Sequence, residues 1–427
     1  MAKTFKDYSK TTFLIGLGFF TMGLMDPVYD SYVPLFLADY IGSKGVVGFI
    51  MTLDNLFALL LIPLVSALSD RTRGRLGRRM PWILAALPPS ALFFALIPFA
   101  GLHSLFVLVG AIFLLNVFKQ AGRGPVVALM PDLIPGEFRS EANGVINTMG
   151  GVAAIVGTIG LSRLMDLSID LPVIGNTARK LPFLLSGLLV LASTLLLFLF
   201  VREKPSPPPE RQEAKPGIPA SLLAVFKNKN PARRTGAPLL LLALFFWFFG
   251  YQGILPFLTM YTRDILGVSE GTAGLSPGMF AAAYAIFAIP SGYLAHRIGR
   301  GKTIRAALLL MALVCLLLFS HRPLSESLPP FAALASFWAL LFCMGTFWVA
   351  VTTNSFPMLW NMASREEIGL YTGLYYTFSQ AAAILAPPVT GLLIDLCGFR
   401  SLYAFGAACM LAAFLCMRNA GIRKMGN

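Results

Sequence analysis

Five ionisable side chains stand inside otherwise apolar stretches of this chain: Asp26, Asp30, Asp54, Lys119 and Arg123. A charge held at membrane depth is costly, and it is kept where it carries an ion, binds a solute or pairs with another charge. Asp26 and Asp30 are four residues apart, as are Lys119 and Arg123, so each pair shares one helix face. Two like charges on one face suit a group that takes a proton from one side of a membrane and releases it to the other. Asp26 or Asp30 is the expected proton carrier, with Asp54 as the competing candidate. The alternative is a set of ion pairs that only holds helices together.

A second group of residues suits a polyhydroxylated solute, which needs amides for its hydroxyls and aromatic faces for its C–H side. Asn116 with Gln120, and Asn143 with Asn147, repeat the four-residue spacing. The later part of the chain has no charge inside its apolar stretches away from their ends, but it offers Tyr251, Gln252, Trp338, Trp348, Asn354, Tyr375, Tyr376 and Gln380. The competing use of the aromatic residues is contact with lipid or with the membrane interface. A third group is the run SALSDRTRGRLGRRMPW, in which Asp70, Arg71, Arg75, Gly77, Arg78 and Arg79 lie between two apolar stretches.

These residues must be positioned by membrane-spanning helices. The chain has 427 residues, 56% hydrophobic and only 13% charged, far too apolar for a soluble globular protein of this length. A hydrocarbon core about 30 Å thick is crossed by about 20 apolar residues in a helix. Twelve stretches qualify, at 12–37, 45–69, 81–100, 104–130, 140–162, 181–201, 238–262, 272–295, 303–320, 330–357, 367–394 and 400–418. The fold class expected is therefore an all-α polytopic membrane protein. The segments on the side of the N-terminus carry 25 Lys and Arg, and the opposite loops carry 7. That bias places both termini in the cytoplasm. The net charge of +14 lies in short loops and forms no nucleic-acid footprint. The five cysteines form no CxxC pair, and no cofactor or metal is expected.

Between the sixth and seventh stretches the composition turns to proline and charge, so residues 203–236 read as a cytoplasmic linker with one short surface helix near Ser221–Phe226. It separates a six-helix half at 1–202 from another at 237–427. The halves echo each other. Ser66-x-x-x-Asp70-Arg71 continuing to Gly77-Arg78-Arg79 is matched by Gly292-x-x-x-His296-Arg297 continuing to Gly299-Arg300, and PVVALMPDLIPGEFRSEANG is matched by NSFPMLWNMASREEIGLYTG, with Asp132 opposite Asn361. Duplicated six-helix units are a feature of transporters that rock two halves about a central site.

The loop pattern resembles the G-x-L-x-D-R-x-G-R-[RK] motif of the major facilitator superfamily. Its expanded form SDRTRGRLGRRMPWIL is similar to that of the glycoside-pentoside-hexuronide transporters and the proton-coupled sucrose transporters. The resemblance implies the major facilitator fold, with helices 1 and 4 lining a central cavity and the acidic pair facing the basic pair. Three departures bear on function. Ser66 stands at the motif's first glycine, and His296 stands at the acidic position of the second copy. Asn116 falls on the embedded aspartate of plant sucrose transporters, while Ala58 and Ile62 fall on the helix 2 aspartates of sodium-coupled melibiose permeases.

The function expected is secondary active transport by alternating access, as proton-coupled symport of a sugar or glycoside. Sodium-coupled sugar symport, and transport or export of an organic anion, a zwitterion or another amphipathic solute, are the alternatives. A membrane-embedded enzyme is disfavoured, because His103, His296 and His321 are scattered and no aqueous loop pairs carboxylates. A sensor would need a signalling domain that the tail from Arg418 does not supply. The partners expected are a small-molecule solute, a proton and the bilayer of the plasma membrane, with the protein acting as a monomer. The loop at Asp70–Arg79 and its echo at His296–Arg300 are expected to latch the cytoplasmic mouth.

Overall fold

A computed structural model describes residues 5–172, 174–203, 231–360 and 368–420. The surface helix expected near Ser221–Phe226 and the echo position Asn361 lie outside the described residues. Twelve helices among the described residues are long and apolar enough to cross a membrane. Their elements are α1 (Phe5–Ala38), α2 (Lys44–Met51), α3 (Leu53–Arg71), α4 (Met80–His103), α5 (Leu105–Leu133), α6 (Arg139–Ile155), α7 (Leu181–Phe200), α8 (Pro231–Leu266), α9 (Glu270–Ile298), α10 (Arg300–Ser325), α11 (Pro330–Trp360), α12 (Ile368–Cys397) and α13 (Ser401–Asn419). With its apolar helices the chain is an integral multi-pass membrane protein.

Several prolines lie within continuous helices. Pro27 and Pro34 lie inside an unbroken α1, Pro125 inside α5, and Pro387 with Pro388 inside α12. Packing against neighbouring helices holds the chain helical where each proline removes a hydrogen bond. The second span breaks instead at Thr52, between α2 and α3, where no proline occurs. Thr52 bonds back through its own hydroxyl to the Phe49 carbonyl at 2.7 Å. The break puts Asp54 in the first turn of α3, where the positive end of the helix dipole favours an acid. The fifth span ends in a π-helical turn over Val156–Gly160, beyond which Asp170–Leu171 and Gly175–Asn176 form a two-stranded hairpin.

The chain divides into two compact units. Unit 1 is Met1–Gly42, Leu53–Gln212 and Val268–Gly278, and unit 2 is Ser43–Thr52, Glu213–Gly267 and Met279–Asn427. In unit 1, α4 packs on α5 and α7, α1 packs on α5, α6 and α7, and α3 packs on α5. Ile15, Met22, Ile83, Leu87, Val126, Leu129, Ile146 and Leu197 form an apolar core there. A Cβ on Gly124 of α5 would stand 2.1 Å from the Ser66 hydroxyl of α3. The close approach that a glycine at position 66 would allow is thus provided by the glycine of the facing helix. In unit 2, α8 packs on α12 and α13, α10 on α11 and α13, and α2 lies against α12.

Candidate functional site

The buried charges meet in unit 1. Lys119 on α5 is 2% exposed, a burial that demands partners. Its ammonium lies 2.9 Å from Asp26 Oδ1 on α1 and 2.8 Å from Asp54 Oδ1 on α3. One turn away, Arg123 approaches the other oxygen of Asp26 at 3.5 Å. Gln120 donates from Nε2 to Asp54 Oδ1 at 2.5 Å, and Asn116 donates from Nδ2 to the Tyr29 hydroxyl at 3.0 Å. The Tyr29 ring lies beneath the Lys119 ammonium, 4.8 Å from ring centre to nitrogen. Four residues of α5 (116, 119, 120 and 123) thus face α1 and α3, as an i, i+3, i+4, i+7 stripe must.

Asp30 stands apart. It makes no hydrogen bond or ion pair among the described residues, although Asp26, Asp54 and Lys119 lie within electrostatic reach. The acidic pair of α1 therefore does not face the basic pair as a unit. Asp26 takes both cations, Asp54 shares Lys119, and Asp30 is left as the one carboxyl without a cation. The buried amide oxygens of Asn116 and Gln120 also lack a donor. Each such acceptor costs about 1–3 kcal/mol unless a hydroxyl or water supplies the bond.

The loop between α3 and α4 forms a second charged cluster, also within unit 1. Arg79 pairs with Asp70, and its Nε lies 2.8 Å from Asp132 Oδ2 near the end of α5. Arg78 meets the other Asp132 oxygen at 2.6 Å. Arg79 also donates to the Ser69 hydroxyl at 3.0 Å. Glu203 accepts from the backbone N–H groups of Arg78, Arg79 and Met80 at 2.7–3.0 Å, which caps the start of α4. Gly77 has φ +87°, and a Cβ there would run into the Glu203 side chain at 2.4 Å. Arg71 and Arg75 are exposed, and among the described residues they pair with neither Asp70 nor Asp132. Glu203 is missed by sequence reasoning, which assigns it to the linker; its signal is its place as the first acid after the sixth span.

The remaining candidates are dispersed. Asn143 and Asn147 are exposed on α6, and Asn147 donates to the Asn143 carbonyl at 2.8 Å. In unit 2, Tyr251 stacks on Trp348 with ring centres 4.0 Å apart, and Phe248 meets both Trp348 and Tyr375 edge-on. Phe356 stacks on Tyr375 at 3.7 Å and reaches Tyr376, which is 57% exposed. Asn354 is buried and donates to the Ala350 carbonyl of its own helix. Gln252 and Gln380 are half-buried and make no hydrogen bond among the described residues. Of the echo loop, His296 is exposed, Arg297 donates to the Tyr293 hydroxyl at 2.6 Å, and Gly299 turns the chain at φ +94° before α10 begins at Arg300.

The chain matches the family model of the Major Facilitator Superfamily over residues 15–275 and 240–420. It is 31% identical over 241 residues to an MFS-type transporter of Gibberella moniliformis, across 56% of this chain and 52% of that protein. It is 31% identical over 136 residues to an uncharacterized symporter of Synechocystis, across 29% of this chain and 25% of that one. The aligned stretches thus span about half and a quarter of those relatives. Multidrug resistance protein MdtG of Proteus mirabilis is 25% identical over 413 residues, 93% of this chain and 90% of its own. Among solved structures, a bacterial homologue of the iron transporter ferroportin in an inward-facing state superposes with a TM-score of 0.71 at 18% identity, over 96% of this chain and 98% of that one. With the family model covering nearly the whole length, this chain is a member of the Major Facilitator Superfamily and is a transporter, not an enzyme.

Proposed function

We propose that the protein is a proton-coupled symporter of a neutral polyhydroxylated solute, a sugar or glycoside, working in the plasma membrane with both termini in the cytoplasm. The observation that carries this reading is the imbalance of the buried cluster: three acids, two bases, and Asp30 without a cation. One proton on Asp30 neutralises the set, which favours its passage through a low-dielectric barrier. Loss of that proton restores a net negative charge and drives the site back towards water. Because the proton already balances the cluster, no spare charge remains for an ionic solute. The unsatisfied amide oxygens of Asn116 and Gln120 suit hydroxyl donors. The arginine loop is then the cytoplasmic gate, with Asp70, Arg79 and Asp132 as its moving contacts.

A second reading, export of an amphipathic solute, is favoured by the aromatic series from Tyr251 to Tyr376 and by the similarity to MdtG along nearly the whole chain. Proteoliposomes offered a panel of neutral sugars and glycosides under an inward pH gradient, and separately under a sodium gradient, test the two. The proposal expects at least one sugar to accumulate under the pH gradient alone. Accumulation of none under either gradient sinks it, and pH-driven efflux of an amphipathic dye would favour the second reading.

A further inference from the structure

The ammonium of Lys119 is surrounded by groups from three helices of unit 1. Asp26 of α1 and Asp54 of α3 stand 2.9 Å and 2.8 Å from it, and the Tyr29 ring of α1 covers another side, 4.8 Å from ring centre to nitrogen. From α5 itself come the amides of Asn116 and Gln120, both fully buried. Gln120 must turn its Nε2 towards Asp54, because an ionised carboxylate only accepts, and Asn116 spends its Nδ2 on the Tyr29 hydroxyl. The two amide oxygens, each on the same carbon as a nitrogen that bonds the cluster, are left buried without a donor. An ion pair that only fastened helices together would end at the two carboxylates. Here two further oxygens are held in reserve.

Carboxylate and amide oxygens suit a hard cation, and an aromatic face also attracts one. An ammonium carries three hydrogens, and those spent on Asp26 and Asp54 leave the amide oxygens unserved. A spherical ion accepts oxygens from any direction. The lysine has a different advantage: carried on the chain, it reaches the carboxylates without the translational entropy that a free ion loses on binding. Arg123 is a poor rival occupant, since its planar guanidinium stays 3.5 Å from Asp26 with its side chain 40% exposed. With Lys119 removed, Asp26 and Asp54 would be stranded, and one free monovalent cation would restore the lost charge.

We infer that Lys119 is the resident occupant of an alkali-cation cage built from Asp26, Asp54, Asn116 and Gln120, and that it fixes the choice of ion by keeping sodium and potassium out. The inference needs neither the solute nor a proton on Asp30, and its test is a binding measurement on resting protein, so its failure is distinct from that of the symport reading. Thermal midpoints of the purified full chain are compared in sodium, potassium and choline chloride of equal ionic strength. Alkaline pH keeps protons from neutralising a stranded acid. The parent should unfold at the same temperature in all three salts. Lys119→Ala should unfold well below the parent in choline and recover by several degrees in sodium or potassium, as mass action requires of an ion bound only by the folded state. Adding Asp26→Asn to Lys119→Ala should abolish that salt dependence. A parent midpoint raised by sodium or potassium would overturn the inference. So would a Lys119→Ala midpoint equal in the three salts, or a Lys119→Ala chain that folds in none of them. Salt dependence that survives in the double variant would place the ion elsewhere and overturn it too.

Discussion

At Lys119 one ammonium serves two carboxylates, 2.8 Å and 2.9 Å away, inside a membrane-spanning bundle. Lys119→Met therefore strands two acids, and removal of one partner of a buried pair costs about 3–5 kcal/mol. A marked drop in the thermal midpoint of the purified protein is expected, with partial recovery when Asp26→Asn is added; an unchanged midpoint would contradict the pairing. The types and spacings of these residues are legible in the sequence because charges in apolar runs are conspicuous. Which acid lacks a cation is not. Asp54 reaches Lys119 from the first turn of α3, just after the second span breaks at Thr52, and no local signal marks that break. Asp30, by contrast, shares a helix face with Asp26 yet meets neither base, since four residues of rise already carry it past the arginine and lysine.

Among the elements, α2 and α12 approach through glycine. A Cβ on Gly48 would stand 2.3 Å from the Pro387 carbonyl, a backbone atom that cannot swing aside. Gly48→Ala should therefore lower stability by about 1–3 kcal/mol, the usual cost of overpacking. Gly42→Ala, with nothing within 4 Å, should stay within about 0.5 kcal/mol. Thermal unfolding followed by binding of a thiol dye checks the pair. The loop before α4 supplies another case. Glu203 caps three N–H groups, so Glu203→Ala should cost about 1 kcal/mol in the same measurement. Helix number and order follow from twenty-residue apolar runs, and the arginine loop from its charge. Glu203 was hidden because it caps a helix more than a hundred residues earlier, a long-range contact with no periodic signature. The prolines mark no break either, since tertiary packing keeps α1, α5 and α12 continuous across them.

For the molecule as a whole, the proposed symport requires that one solute site be exposed to each side of the membrane in turn. The Asp70–Arg79–Asp132 cluster is closed on itself within unit 1. If it is the cytoplasmic gate, Asp70→Asn should slow turnover about tenfold while leaving the half-saturating concentration within about twofold, because it touches the path rather than the solute. Equal loss of both would mark it as a folding residue. The central claim is that Asp30 carries the coupling proton, and counterflow compared with uphill uptake in proteoliposomes tests it most directly. Asp30→Asn should keep solute exchange between equal pools within about twofold of the parent and lose all accumulation driven by a pH gradient. Full gradient-driven accumulation in Asp30→Asn would contradict the account.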